Sequence, residues 1–395
     1  MKTSYPGLQE DVVIFSSAGQ IGVINPDGSE LHYLQFDLPN LRHCAFGVPF
    51  PDSPCLVLHT HTKGEMRFED GVLKENTILV RMWRYHLLTG ESTEIACRNR
   101  PSNYMGVQGV LPGEQKIITS ALIKNRESLF YCNLDGSDRK PLTTYEDGYA
   151  YGTSLSPDGK RIAFHITFPY YRIWTMDVDG KNRTTIADHP DHLYFMPVWS
   201  PDGQWLAFQD CHYRTDPGHD WADLCIVKPD GSEMRVVTHG QRHWFGTSYG
   251  TPQSRGGGSN TTQWSPDGKT LTYTRKTPGA RTAWVYAEDR LDSDHFNRDY
   301  KPEQARGGSQ ICLLNPFTSE ETELTSPQEG VWDFRPAWCR DGKRLTFTRA
   351  RVGEPSEIWI MEADGSNQRF LTGGIHGKGA DFSRWIHLPN AVRTV

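Results

Sequence analysis

The chain has 395 residues, and its 42 lysines and arginines are interspersed with 48 aspartates and glutamates for a net charge of −6. This leaves no basic face for nucleic acid, and the absence of any long apolar run argues against a membrane span. Glycine (37), proline (25) and aromatic residues (12 Trp, 16 Tyr, 17 Phe) are plentiful and no segment sustains a helical period, which predicts an all-β chain of short antiparallel strands.

From the N-terminus, MKTSYPGLQEDVVIF lacks a basic flank followed by an apolar stretch, so an unexported chain is expected. The eight cysteines (44, 55, 97, 132, 211, 225, 312 and 339) form no CxxC pair and fall mostly inside strand-like runs. Buried reduced thiols, and hence a cytoplasmic protein, are the expectation. Residues 11–34 read as three strands whose last turn is NPDGSE at 25.

Beyond them two turn motifs alternate. The first is FPDS at 50, LPGE at 111, SPDG at 156, 200 and 265, and CRDG at 339; the second is LLTGES at 87, NLDGSD at 133, DVDGKN at 177, KPDGSE at 228, NPFTSE at 315 and EADGSN at 362. Proline presets φ, aspartate bonds the backbone and glycine takes a positive φ, so each motif reverses a strand within a few residues. The repeating unit is four strands, with units near 42–96, 103–143, 149–186, 192–238, 258–325 and 332–372. ADFSRWI at 380–386 supplies the strand missing from the first unit. The expected architecture is a seven-bladed β-propeller of four-stranded antiparallel blades, one domain over 1–395, its ring closed by the C-terminal strand joining the N-terminal blade. The repeat resembles the TolB-type propeller repeat, xWSPDGxxIAFxSxxxGxxxIWxMDxDGSxxxxLT, over nearly the whole chain, and that resemblance implies the fold.

Both short turns share one face, so the second-to-third-strand loops and the connections between units share the other. Insertions gather there: 62–77, 210–223, 276–308 and the connection 239–260, in which GGGSN at 256 lacks the Lys-Ser/Thr of a phosphate loop and reads as a flexible lead-in. Of the fifteen histidines, eleven fall on that face: 43, 59, 61, 165, 189, 192, 212, 219, 239, 243 and 376.

His192 and His212 flank one hairpin at a spacing that brings both to the same mouth, and His43 with His59 and His61 repeats the arrangement. Converging imidazoles serve either as general base and acid or as ligands of a divalent metal, Mn²⁺ first and Zn²⁺ or Ca²⁺ otherwise; His165, His192, His212 and His219 are the candidate ligands. Tyr151 and Tyr194 are candidate auxiliary acids. Arg214, Arg275, Arg335 and Arg349 are placed to bind a carboxylate, or else to pair with local acids such as Asp210, Asp216, Asp220 or Asp333. Trp244 and Tyr249 offer flat rings for a sugar or pack between blades.

Histidines, arginines and tyrosines on one propeller face resemble the oligogalacturonate lyase family and, more loosely, the propeller ulvan lyases. That resemblance implies β-elimination on a small anionic uronate saccharide, His192 and His212 acting as base and acid or metal ligands, with Arg214 or Arg275 on the carboxylate. The family's late His-Pro-His segment, a source of metal ligands, reads VWDFRPAWCRDG at 331–342 here, with Asp333 and Arg335 in place of histidine. A glycoside hydrolase and a non-catalytic TolB-like binding propeller stand beside the lyase as alternatives, and a monomer or homodimer is expected. No GxSxG elbow is present for a propeller peptidase.

Overall fold

The computed structural model describes residues 7–36, 38, 41–51, 53–63, 67–69, 72–74, 78–95, 104–123, 126–211, 220–286 and 298–388. Among these, regular structure is β throughout apart from one 3-10 turn, Pro302–Gln304. The strands form four separate four-stranded sheets, one thirteen-stranded sheet and three short hairpins. In chain order three of the separate sheets span 41–95, 104–141 and 150–187, and the fourth joins the two ends of the chain. There Ala380–His387 pairs antiparallel with Asp11–Ser17, which continues through Gln20–Ile24 to His32–Tyr33, as the stretch ADFSRWI led one to expect.

The thirteen-stranded sheet contains three further meanders, spanning 193–236, 263–323 and 331–373. They are stitched together by very short bridges: Trp221↔Trp244 with Ala222↔His243, then His243↔Arg275, and finally the parallel pair Ser309↔Trp332. Every sheet or meander therefore has the same plan, an inner strand followed by three strands running outward.

The two turn motifs do what their residues dictate. In SPDG, Ser156 Oγ donates to Asp158 Oδ1 at 2.7 Å, the carboxylate also accepts from the Lys160 amide, and Ser156 Oγ accepts from the Arg161 amide. The same three bonds recur at Ser200 and Ser265. In the second motif the serine amide donates to the aspartate two residues earlier, at 2.8–2.9 Å for Ser29, Ser137, Ser232 and Ser366. A hydroxyl and a carboxylate thus satisfy the turn's backbone donors and fix the reversal.

Neighbouring sheets bury their faces against one another in an unbroken cycle. Val57 and Met82 pack with Val107 and Ile117, Ile118 with Ile162 and Phe164, and Ala163 with Phe208. Ala207 and Leu224 meet Leu271, Ile311 meets Leu345, Ile358 and Ile360 meet Val13 and Phe15, and Val12 and Ile14 meet Leu56 and Leu58. Inner-strand tryptophans add a latch. Nε1 of Trp199 donates to Ser154 O at 3.1 Å, that of Trp264 to Val198 O at 3.3 Å and that of Trp385 to Ala337 O at 3.0 Å, each to the preceding unit.

The inner strands also carry a common kink. Pairing with the next strand slips between Tyr151 and Ser154, Phe195 and Val198, Phe334 and Ala337, and opposite Ile14 and Ser16. At each slip one residue has positive φ: Gly152 (62°), Met196 (50°), Arg335 (51°) and Phe382 (54°). A bulge of this kind bends the strand and re-aims a side chain, here toward a cavity of about 410 Å³ on which Met196, Arg335 and Phe382 all border.

One sequence expectation is corrected. The 256–260 stretch is not a loose lead-in, because Gly256–Ser259 pairs with Gly246–Tyr249 as a hairpin. A Cβ on Gly256 would lie 2.3 Å from the Tyr249 ring, so glycine is there to let the ring cover the backbone. The 276–308 insertion is likewise built, around the hairpin of Trp284–Tyr286 with Arg298–Tyr300.

Truncating Ile386, 3% exposed in the core that joins the two chain ends, tests the closure. Ile386→Ala is expected to lower the urea-measured unfolding free energy by about 2–4 kcal/mol, whereas Leu31→Ala, on the surface, stays within about 0.5 kcal/mol.

Candidate functional site

His192 immediately precedes the inner strand Leu193–Trp199, and Asp210 lies at the end of its antiparallel neighbour Leu206–Cys211, opposite Tyr194. The hairpin brings the two side chains together: His192 Nδ1 sits 2.9 and 2.8 Å from the two carboxylate oxygens of Asp210, which is 2% exposed. An ionised carboxylate only accepts, so this contact places a proton on Nδ1 and turns Nε2 to the opposite edge of the ring. The imidazole is also stacked on Tyr194, with ring centroids 5.6 Å apart, and meets His189 edge-on at 4.7 Å. Burial, with the charge of Asp210 behind it, pushes the Tyr194 phenol up, which keeps it protonated and able only to donate its proton. His212, Arg214 and His219 lie outside the described residues.

Tyr151 and His165 form a second group. They are register partners whose rings lie 4.0 Å apart, and Tyr171 and Phe195 close the box at 6.0 and 5.7 Å from the imidazole. The bulge at Gly152 makes room for His165, since a Cβ there would lie 2.5 Å from the ring. His165 is fully buried; Nδ1 accepts a 3.4 Å hydrogen bond from the Met196 amide, and among the described residues Nε2 has no partner. Burial therefore pulls the imidazole down to about 3 and pushes the Tyr151 phenol up.

A third group occupies the 41–95 sheet. His43 and His61 face each other in register with rings 5.3 Å apart, and His59 Nε2 accepts from the Val107 amide of the next sheet at 3.2 Å. Burial lowers His43 and His61 below the usual imidazole range, and His61 falls further because His43 is beside it. Among the described residues no hydrogen bond or ring contact joins the three groups. His243 stands apart as a scaffold residue: Nε2 donates to Asn260 O at 2.8 Å, Nδ1 accepts from the Thr274 amide at 3.3 Å, and burial pulls it down to about 4.

The expected arginine constellation is committed to protein partners. Arg349 makes a two-pronged contact with buried Asp333, at 2.6 and 2.8 Å. Arg275 reaches outward to Glu321 and Glu323. Arg335 pairs with Asp381 and gives its remaining donors to Tyr249 Oη, Thr247 Oγ1 and the carbonyls of Gly257 and Ser259. Each is a strut between elements, and an anion would have to displace a buried carboxylate to reach Arg335 or Arg349. Trp244 is fully buried against Trp332 and Phe334, and Tyr249 packs on Phe334, so neither ring is offered to a ligand.

Of the four expected metal ligands, His212 and His219 lie outside the described residues. Among the described residues no three His, Cys, Asp or Glu side chains are assembled to hold an ion, and His165 is sealed in its aromatic box. Where the resembling family carries metal-binding histidines, Asp333 is already clamped by Arg349 and Arg335 brings a cation of its own.

Sequence reasoning missed Asp210 as a partner of histidine and saw it only as a mate for arginine. Its position at the end of the strand that turns back beside His192 was the available signal. The arginine that does take a local acid from that list, besides Arg349, is Arg298, which holds Asp220 at 2.7 and 2.5 Å.

The two buried histidines make stability pH-dependent. Their folded-state affinities for a proton lie below that of an unfolded histidine near 6.5, so the unfolded chain binds more protons between there and about pH 4. Stability is then fully present above about pH 6.5 and falls on acidification, by up to about 1.4 kcal/mol per pH unit for each group. Replacing His165 by Phe is expected to flatten the dependence of Tm on pH between about 6.5 and 4.

No protein-family model matches the chain, and no curated protein does. Solved structures do: a puromycin hydrolase mutant at 14% identity and TM-score 0.58, covering 94% of this chain and 53% of the other, so that this chain spans about half of it. An oligogalacturonate lyase in complex with manganese matches at 14% identity and TM-score 0.51, covering 100% of this chain and 99% of that one. TolB from Acinetobacter baumannii matches at 13% identity and TM-score 0.46, over 95% and 82%. A hydrolase and a lyase on one scaffold at such identities make the likeness one of fold: the chain is a propeller-like array of four-stranded sheets.

Proposed function

We propose that the four separate sheets and three meanders are the blades of a seven-bladed ring, and that the mouth around His192 cleaves a short uronate-containing saccharide by β-elimination. The observation that carries the reaction is the contact of His192 Nδ1 with both oxygens of buried Asp210. A base for this chemistry must present an unprotonated nitrogen in a fixed orientation, and a carboxylate behind the ring supplies both the tautomer and stabilisation of the imidazolium that forms. His192 Nε2 takes the proton from the carbon next to the uronate carboxylate. The electron pair forms the new carbon–carbon double bond, the glycosidic carbon–oxygen bond breaks, and the leaving oxygen takes a proton from Tyr194, Tyr151 or water. Arg214 is proposed to face the substrate carboxylate, with His212 as a second acid or base.

The propeller fold is compatible with such a reaction, since a chain of that fold is an oligogalacturonate lyase. No step here passes through a metal. The seven described cysteines, all buried and unpaired, support a cytoplasmic setting, and among the described residues no helix is long and apolar enough to cross a membrane.

One observation favours a second reading, a non-catalytic binding propeller. Arg275, Arg335 and Arg349 of the expected site are each engaged by a carboxylate, which is what a passive scaffold would look like. The two readings separate on turnover. With oligouronides as substrate, ultraviolet absorbance of the unsaturated product is expected in the wild type, and His192→Ala lowers its rate by about 10²–10⁴-fold. Asp210→Asn lowers it by a similar range, because the carboxylate that fixes the tautomer of the imidazole is gone. Absence of product across pectic, ulvan-like and glycosaminoglycan-like substrates leaves the binding reading.

A further inference from the structure

The cavity beneath the ring of bulges has a charge that the fold does not balance. It measures about 410 Å³, far more than the roughly 30 Å³ share of one water, and lies between the inner strands of the closing sheet, the 41–95 sheet and the three meanders. Two guanidiniums border it. Arg335 is neutralised by Asp381, which also accepts from Thr348 Oγ1 at 2.9 Å and from the Phe382 amide.

Arg384 is different. It sits two residues past the Phe382 bulge, next to the latch tryptophan Trp385, and so lies toward the SPDG-turn face rather than the mouth that holds His192. Its only described contacts are one 2.7 Å bond from Nη1 to the Gly47 carbonyl and the Phe46 ring at 5.6 Å. No carboxylate among the described residues pairs with it. Its side chain is exposed to the cavity, and the surrounding protein pulls the guanidinium below the ordinary arginine range. The other polar lining is neutral: Ser259, Thr261, Gln263 and Ser383.

A cation that lines a cavity and has no carboxylate partner among the described residues gains from an anion that can reach it, and a guanidinium fork matches the paired oxygens of a carboxylate or phosphate. From this geometry we propose that Arg384 forms an oxyanion-binding subsite within the axial cavity, on the opposite side of the bulges from the candidate active site. Gln263 and Thr261 contribute neutral hydrogen-bond donors, while Trp338 and Trp385 wall it off. The subsite does not depend on the lyase reading.

Calorimetric titration of the full chain with inorganic phosphate, and separately with acetate, at constant ionic strength tests this. Saturable binding that Arg384→Gln weakens by about tenfold or more supports the subsite, and the tighter of the two anions tells whether its natural ligand is of the phosphate or the carboxylate kind. No saturable binding of either anion, or binding unchanged in Arg384→Gln, overturns it. Should that variant not fold, ³¹P line broadening in the wild type decides. Broadening that saturates and is reversed by sulfate supports the subsite, and broadening that grows linearly with phosphate overturns it.

Discussion

The inner-strand bulge is the constraint on which the rest of this structure depends. A straight strand would present its side chains alternately to its two neighbours and leave the axis to chance. A single residue of positive φ at Gly152, Met196, Arg335 and Phe382 bends each strand, and the last three border the cavity between the inner strands. For a non-glycine residue that conformation costs on the order of 1 kcal/mol, so it persists where surrounding contacts over-determine it. At Arg335 those contacts are plain: an ion pair to Asp381 and hydrogen bonds to the 246–259 hairpin fix the guanidinium from several directions. At Gly152 the missing side chain is itself the device, because the space it leaves is filled by His165.

From the bulges the molecule divides into two functional ends. Toward one end, at the start of an inner strand, His192 meets Asp210. Toward the short turns, the tryptophan latches and Ser-Asp-Gly hydrogen bonds repeat with little variation, and the cavity between carries the one described arginine of its lining without a carboxylate, Arg384. The buried pairs Arg335–Asp381 and Arg298–Asp220 join segments that no strand ladder among the described residues connects, whereas Arg349–Asp333 ties register partners across one ladder. Ion pairs of this kind are costly to bury and costly to break, which suits the role of fixing how neighbouring units meet.

The repeat was legible because turn chemistry is local: SPDG and its relatives fold the same way wherever they occur, so unit boundaries near 150–187 or 331–373 follow from sequence almost residue for residue. Closure by 380–387 was legible for the same reason, as a strand without a unit. The site was less so. Spacing put His192 just before its inner strand, yet which side chain faces it depends on pairing across the hairpin, and Asp210 in that place is a tertiary fact. Arginine partners were only partly legible, because sequence shows a positive charge and the acids near it but not distant ones: Asp333 was within reach of inference for Arg349, whereas Glu321 is 46 residues from Arg275 and Asp381 is 46 from Arg335. The GGGSN stretch misled because glycine there answers to the Tyr249 ring and not to flexibility.

The central claim is that the propeller mouth holds one imidazole in a fixed tautomer, backed by a buried carboxylate, ready to accept a proton at Nε2. Long-range ¹H–¹⁵N spectra of the histidine side chains in the full chain, compared with Asp210→Asn, test it most directly. The account predicts a hydrogen-bonded, downfield Nδ1 proton on His192 in the wild type, absent in the variant. A His192 ring that averages its two tautomers as free imidazole does, identically in both proteins, would contradict it.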